Sequence, residues 1–218
     1  MKNLRVPLEE KEKISQKIVS ETLEKAENPY ALFTGDKDSL IVLHIIRQLR
    51  EGRIPLPVLH IDTTVYFPEV YQYIDKMKKL WEFSLVRERN EEALRTIVIA
   101  ENKELCCHLL KTEALRKAAE KYGIDYIFLA KRSDEQKEDP FFFIQENCTL
   151  VNPLFHFSEK DSWEYIKKYN LPYCSLYKQG FRKLYCKPCT KITCERNERR
   201  GMQEQEIVKD QLKRLGDL

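Results

Sequence analysis

Apolar positions recur at helical spacing from Leu8 to Ala26, with Ile14, Ile18 and Leu23 on one stripe, and predict an amphipathic helix. A short apolar run, Tyr30-Ala31-Leu32-Phe33, then reads as a buried strand. The polar stretch Thr34-Gly35-Asp36-Lys37-Asp38-Ser39 follows, and an apolar helix is predicted from Leu40 to about Gln48. Pro57 to Ile61 reads as a second buried strand and runs into Asp62-Thr63-Thr64. Pro68 stands where proline favours a first helical turn and opens a helix through about Leu80. Phe83 to Val86 reads as a third strand, while the pattern from Arg87 to Glu104 is ambiguous. A helix is predicted over Leu105 to Lys121, stopped by Gly123, and a strand over Asp125 to Leu129. Ser158 is the expected N-cap of a helix reaching Tyr169, with Pro172 beyond it. Glu204 to Leu215 is charged and helical in pattern.

Strands that alternate with helices predict an α/β fold, a mostly parallel sheet with helices on both faces. Three segments are expected: an N-terminal helix over 1–27, a central domain over 28–201 and a helical tail over 202–218. In such sheets ligands sit outside the carboxyl ends of the strands. Thr34 to Ser39 and Asp62 to Thr64 both fall at such ends and are assigned to one candidate site.

Composition narrows the class. The 218 residues are 42% hydrophobic and 33% charged, which fits one soluble globular domain with a full core. The longest apolar runs are far too short to cross a membrane, so no membrane role is expected. The net charge of +3 is too small to argue for nucleic acid. Seven cysteines, with no export signal, point to a reduced cytoplasmic setting rather than a disulfide framework.

The cysteines carry the chemistry. Cys106-Cys107 precedes Cys186-Lys187-Pro188-Cys189 by 78 residues. Two tight pairs of thiolates can converge on one soft metal centre, and either zinc or a 4Fe-4S cluster satisfies the count. Placed at a helix start, the first pair would sit near free backbone N–H groups that favour the thiolate. Cys148 and Cys174 have no paired neighbour and read as structural. The stretch from Thr34 has the strand–loop–helix form of a phosphate site. There Gly35 allows close approach, Lys37 adds a cation and Ser39 a hydroxyl; the alternative is an ordinary turn capped by Asp38 or Ser39. Asp62 is a candidate to hold Mg²⁺ or a ribose hydroxyl, or else a turn cap.

Thr34-Gly-Asp-Lys-Asp-Ser39 resembles the S-G-G-K-D-S loop of the adenine-nucleotide α-hydrolase superfamily, the PP-loop enzymes. Pro57 to Thr63 with Phe67-Pro68-Glu69 is similar to the second strand of sulfonucleotide reductases and of the small subunit of sulfate adenylyltransferase. Cys106-Cys107-His-Leu-Leu-Lys111 is similar to the C-C-x-x-x-K segment of iron–sulfur adenylylsulfate (APS) reductases. Arg132-Ser-Asp-Glu135, Val151-Asn-Pro-Leu154, Asn170-Leu-Pro-Tyr173 and Leu176 to Thr190 extend the likeness over roughly residues 28 to 201.

This resemblance to the iron–sulfur APS/PAPS reductases implies a PP-loop fold and a 4Fe-4S cluster on Cys106, Cys107, Cys186 and Cys189. It also implies an adenine nucleotide (APS, PAPS or ATP) as ligand, with Thr34, Gly35, Lys37, Asp38, Ser39, Asp62, Arg132 and Arg199 as contacts. Lys111 is expected near the sulfate, and a thioredoxin-like carrier as partner.

Two departures stand out. Asp36 replaces the second glycine of the loop, where a carboxylate opposes a phosphate unless Mg²⁺ bridges the two. No cysteine follows Cys194, so the usual C-terminal catalytic motif is missing. Cys194, near Arg196, Arg199 and Arg200, is the candidate replacement nucleophile. Lys37 makes the loop resemble the ATP-using members, so adenylyl transfer or sulfur transfer, the latter with tRNA as a partner, is the alternative. A non-catalytic nucleotide-binding module comes third. A homo-oligomer is compatible with each reading.

Overall fold

A computed structural model describes residues 6–133, 142–145 and 148–192. Six strands form one sheet in the order β3-β2-β1-β4-β6-β5. They are β1 (Tyr30–Leu32), β2 (Val58–Ile61), β3 (Leu85–Glu88), β4 (Tyr126–Phe128), β5 (Phe142–Gln145) and β6 (Cys148–Val151). The first four and β6 run parallel, and β5 pairs antiparallel with β6 at the edge. The helices are α1 (Leu8–Lys25), α2 (Lys37–Leu49), α3 (Pro68–Trp81), α4 (Glu91–Thr96), α5 (Lys103–Cys107), α6 (Glu113–Tyr122) and α7 (Glu159–Lys168). The expected α/β architecture with a mostly parallel sheet is what the chain adopts.

Successive strand residues point to opposite faces. Ala31, Val58, Phe128 and Val151 face the larger core beneath α2, α3 and α7. Tyr30, Leu59, Ile127 and Leu150 face the smaller core under α6. The short strands are therefore apolar on both sides, as parallel strands between helix layers must be.

The N-terminal helix is part of this body. Ser15 Oγ donates to the Pro153 carbonyl at 2.8 Å, Lys11 pairs with Asp161 at 2.6 Å and Lys168 with Glu12 at 3.0 Å. Buried His156 donates from Nε2 to the Lys11 carbonyl at 2.7 Å.

The chain reverses its strand order between β1 and β4. That reversal opens a crevice at the carboxyl ends of the strands, which is where ligands bind in open α/β sheets. No helix among the described residues is long and apolar enough to cross a membrane.

Candidate nucleotide site and thiol-lined wall

The crevice holds a cavity of about 510 Å³. Its floor is apolar: Leu32 ends β1, Ile61 ends β2, Leu129 and Ala130 follow β4, and Leu150 comes from β6. Thr34, Asp36, Ser39, Tyr66, Lys111, Lys131, Lys183 and Tyr185 supply the polar rim. The volume and the mix of apolar walls with few polar groups suit a small ligand.

Of the residues predicted to touch a nucleotide, Thr34 and Ser39 reach this cavity. Their hydroxyls lie 3.2 Å apart, and Thr34 N–H donates to Ser39 Oγ at 3.3 Å, which closes the loop on itself. Gly35 does not face the cavity. It turns left-handed at φ +78°, and a β-carbon on it would lie 2.8 Å from Val70 Cγ1 on α3. Its role in the structure is close packing of the loop on α3.

Lys37, Asp38 and Arg132 differ from expectation. None lines the cavity, and all three are buried beneath the loop. The Lys37 ammonium donates to the Arg182 carbonyl at 3.3 Å and lies 3.5 Å from Asp38. Arg132 pairs directly with Asp38, and Lys183 reaches the same carboxylate oxygen at 3.1 Å. Burial pushes the Asp38 carboxyl up, but Lys37, Arg132 and Lys183 together pull it well below the usual range. The cation expected at the phosphates is spent on balancing a buried acid. Asp38 is not the helix cap either: Asp36 fills that place and accepts the Ser39 N–H at 2.8 Å.

Asp62 caps a turn, accepting Thr64 N–H at 2.8 Å and the Tyr71 hydroxyl at 2.6 Å. It does not line the cavity. Asp62, Thr63 and Thr64 thus do not line this cavity. Thr63 goes instead to the thiols, 3.2 Å from Cys186 Sγ. Cys194 and Arg199 lie outside the described residues.

Cys106, Cys107, Cys186 and Cys189 line one small cavity together with Thr63, Ala100, Lys103 and Lys111. All four thiols are free. The C-x-x-C turn is shaped by its own backbone, with Cys189 N–H on the Cys186 carbonyl at 2.9 Å and Lys187 N–H on the Val65 carbonyl at 2.7 Å. The first pair is not at a helix start. Asn102 caps α5 through Leu105 N–H, so the helix begins earlier and the thiols fall in its last turn. Burial accordingly raises the Cys106 thiol, although the Ala100 N–H donates to it. Cys189 is pushed up to about 11 by burial and by its neighbours Cys186 and Cys107.

Ala100 holds a left-handed φ of 64° there while almost fully buried, a strain found where surroundings over-determine a backbone. Four thiols lining one cavity are a donor set that suits a thiolate-bound metal centre. Cys148 and Cys174 are buried elsewhere, as structural thiols.

Lys111 belongs to both walls. It lines the large cavity and the thiol cavity alike. Burial would lower its pKa, but Cys186, Tyr66, Cys107 and Cys189 outweigh that and hold it above the ordinary range. Between Cys107 and α6 the chain makes one π-helical turn, His108–Thr112, and Lys111 sits in it. Sequence reasoning missed Tyr66, whose ring lies 5.5 Å from that of buried His60 at a 45° tilt and packs beside the thiols. It also missed Lys183, although the basic pair Arg182-Lys183 just before Cys186 was a signal.

The phosphoadenosine phosphosulfate reductase domain matches residues 28–192. Sulfate adenylyltransferase subunit 2 of Sulfurimonas denitrificans is 28% identical over 232 residues, covering 92% of this chain and 76% of that protein. The subunit 2 of Methylorubrum extorquens is 32% identical over 191 residues, and the match spans 73% of this chain and 62% of that protein's length. The phosphoadenylyl-sulfate reductase of Candida auris, in a phosphate complex, superposes with a TM-score of 0.68 at 17% identity, over 85% of this chain and 98% of that one. The FMN adenylyltransferase of Candida glabrata, with FMN and an ATP analogue, gives 0.69 at 18% identity, over 90% and 74%. At such identities the two structures share the fold.

Proposed function

Because the chain belongs to the phosphoadenosine phosphosulfate reductase domain family, we propose that it binds an adenine nucleotide in the 510 Å³ cavity and acts on an adenylyl sulfate. The adenosine lies over the apolar floor of Leu32, Ile61, Leu129 and Leu150, and the anionic end is directed toward Lys111. The observation that carries this reading is the position of Lys111, a cation shared by the nucleotide-sized cavity and the wall of four thiols.

In the reaction a thiolate attacks the sulfonyl sulfur, the bond to the phosphate oxygen breaks, and AMP (or adenosine bisphosphate) leaves with the electron pair. A dithiol carrier of the thioredoxin type then attacks the resulting thiosulfonate, releases sulfite and ends as a disulfide. Lys111 offsets the negative charge that gathers on the sulfonyl oxygens. Cys194 is the proposed nucleophile. Cys106, Cys107, Cys186 and Cys189 would hold a 4Fe-4S cluster, which supplies a fixed local field beside the sulfonate rather than electrons.

A second reading is favoured by the relatives named sulfate adenylyltransferase subunit 2: ATP-dependent adenylyl transfer to sulfate, with release of pyrophosphate. Both readings belong to sulfate assimilation.

Protein purified without oxygen should release sulfite from APS or PAPS with a thiol reductant, and Lys111→Met should lower that rate by about 10²-fold. Pyrophosphate from ATP and sulfate, with no sulfite from either sulfonucleotide, would replace the first reading by the second.

A further inference from the structure

A helix N-terminus receives an anion only if its first N–H groups are open. In α2 two of them are already taken: Lys37 N–H donates to the Tyr177 hydroxyl at 3.0 Å and Ser39 N–H to Asp36 Oδ1 at 2.8 Å. The other oxygen of the Asp36 carboxylate lies 3.3 Å from Lys183 Nζ. Asp36 is only 7% exposed, and the next three residues are 0%, 0% and 1% exposed, yet Asp36 still forms part of the cavity wall. A negative group of the protein's own thus stands where a terminal phosphate would approach. Lys183, which reaches it, and Lys37, the next residue in the chain, both contact Asp38.

We infer that Asp36 sets the length of the nucleotide tail: it closes the α2 N-terminus to terminal phosphates, so the site takes an adenine nucleotide with one 5′-phosphoryl group in preference to ATP. The inference rests on the adenine-nucleotide reading and narrows its substrate class. The carboxylate acts in two ways. It satisfies the Ser39 N–H that a phosphate would use, and it repels a polyphosphate while lying against Lys183. Single-phosphate nucleotides avoid this region, because their anionic end is carried by Lys111 across the cavity.

Asp36→Asn keeps an N-cap acceptor and removes the charge. Asp36→Gly removes both, and the backbone at φ −85°, ψ 168° accepts any residue. The experiment is calorimetric titration of the full-length protein, prepared without oxygen, with AMP and with ATP plus Mg²⁺. Wild-type protein should prefer AMP by about tenfold or more, and both variants should shift the ratio of the two dissociation constants toward ATP by about tenfold. An unchanged ratio in both variants overturns the inference, as does a failure of all three proteins to bind either nucleotide. The sulfite assay on the wild type is independent. Absence of sulfite together with the expected shift in ratio removes the reductase reading and leaves the role of Asp36 standing.

Discussion

Tyr177 holds Lys37 at two points: its hydroxyl accepts the lysine's backbone N–H at 3.0 Å, and its ring centre lies 5.6 Å from the lysine's Nζ. Trp163 offers a second ring at 5.9 Å. The lysine is thereby anchored inside the fold, between aromatic faces and Asp38, with no exposed surface. Lys37→Ala should therefore act first on stability. Leaving Asp38 less well balanced and opening a buried gap should cost about 3 kcal/mol, read from urea denaturation. A phosphate-binding lysine would behave in the opposite way, losing nucleotide affinity with the denaturation midpoint unchanged.

The same cluster predicts an acid limb. The Asp38 carboxyl is held below its unfolded range, so its charge contributes stability that is complete above about pH 4 and fades as the pH falls toward the folded value. Asp38→Asn should lose about 3–5 kcal/mol at neutral pH, since it removes the buried charge that Arg132, Lys183 and Lys37 share. It should also flatten the fall in stability below pH 4. Urea midpoints measured from pH 6 to pH 3 would show both effects, and an equally steep fall in the variant would remove Asp38 as its source.

His44 gives a second, higher limb. Burial, with a smaller contribution from Arg47, lowers it to about 4, and its Nδ1 lies 2.9 Å from the Tyr165 hydroxyl, which in turn donates to Gln48 at 3.1 Å. Because the folded value is below the unfolded value of about 6.5, stability is full above pH 6.5 and drops by up to about 3 kcal/mol as the pH falls toward 4. His44→Leu should make the slope in that window shallower, leaving the share of His60 and His156, which burial also lowers, and the limb below pH 4 from Asp38. An unchanged upper slope in the variant would remove His44 as a source.

Gly35 is constrained twice, by its φ of +78° and by Val70 at 2.8 Å from where a β-carbon would stand. Gly35→Ala should destabilise the fold by about 1–3 kcal/mol. Adding Val70→Ala should return only the steric part, because the backbone cost remains. A double-mutant cycle that showed no coupling would separate the loop from α3.

Much of this architecture could be read from periodicity. The helices α1, α3 and α7, the Ser158 cap and the Gly123 stop stand within a residue or two of expectation, since each is set by a local apolar stripe or capping residue. The third strand lies two residues later than read, because pairing with β2 puts Leu85 beside Val58. The stretch from Arg87 to Glu104 was opaque: it holds the end of β3, all of α4 and the start of α5, too short for a helical stripe to declare itself.

The grouping of the four cysteines around one cavity follows a pattern visible in their spacing. The fate of Lys37, Asp38 and Arg132 does not, because a charged loop residue reads alike whether it faces solvent or a buried counter-ion. Residues 94 positions apart, Asp38 and Arg132, had to meet before either could be called buried.

The π-helical turn over His108–Thr112 also solves a problem of angular phase. Downstream, Ala114 and Ala118 must point at the sheet; upstream, Cys106 and Cys107 must point at Cys186 and Cys189. An unbroken α-helix advances about 100° per residue, and a π-helical turn puts a slip in that phase between the two pairs. The wide turn is that slip, steadied by Asn90, whose side-chain amide donates to the Leu109 carbonyl at 3.1 Å. Deleting one residue there would leave the remaining side chains chemically intact and turn Cys106 and Cys107 relative to Ala114 and Ala118, and so relative to Cys186 and Cys189.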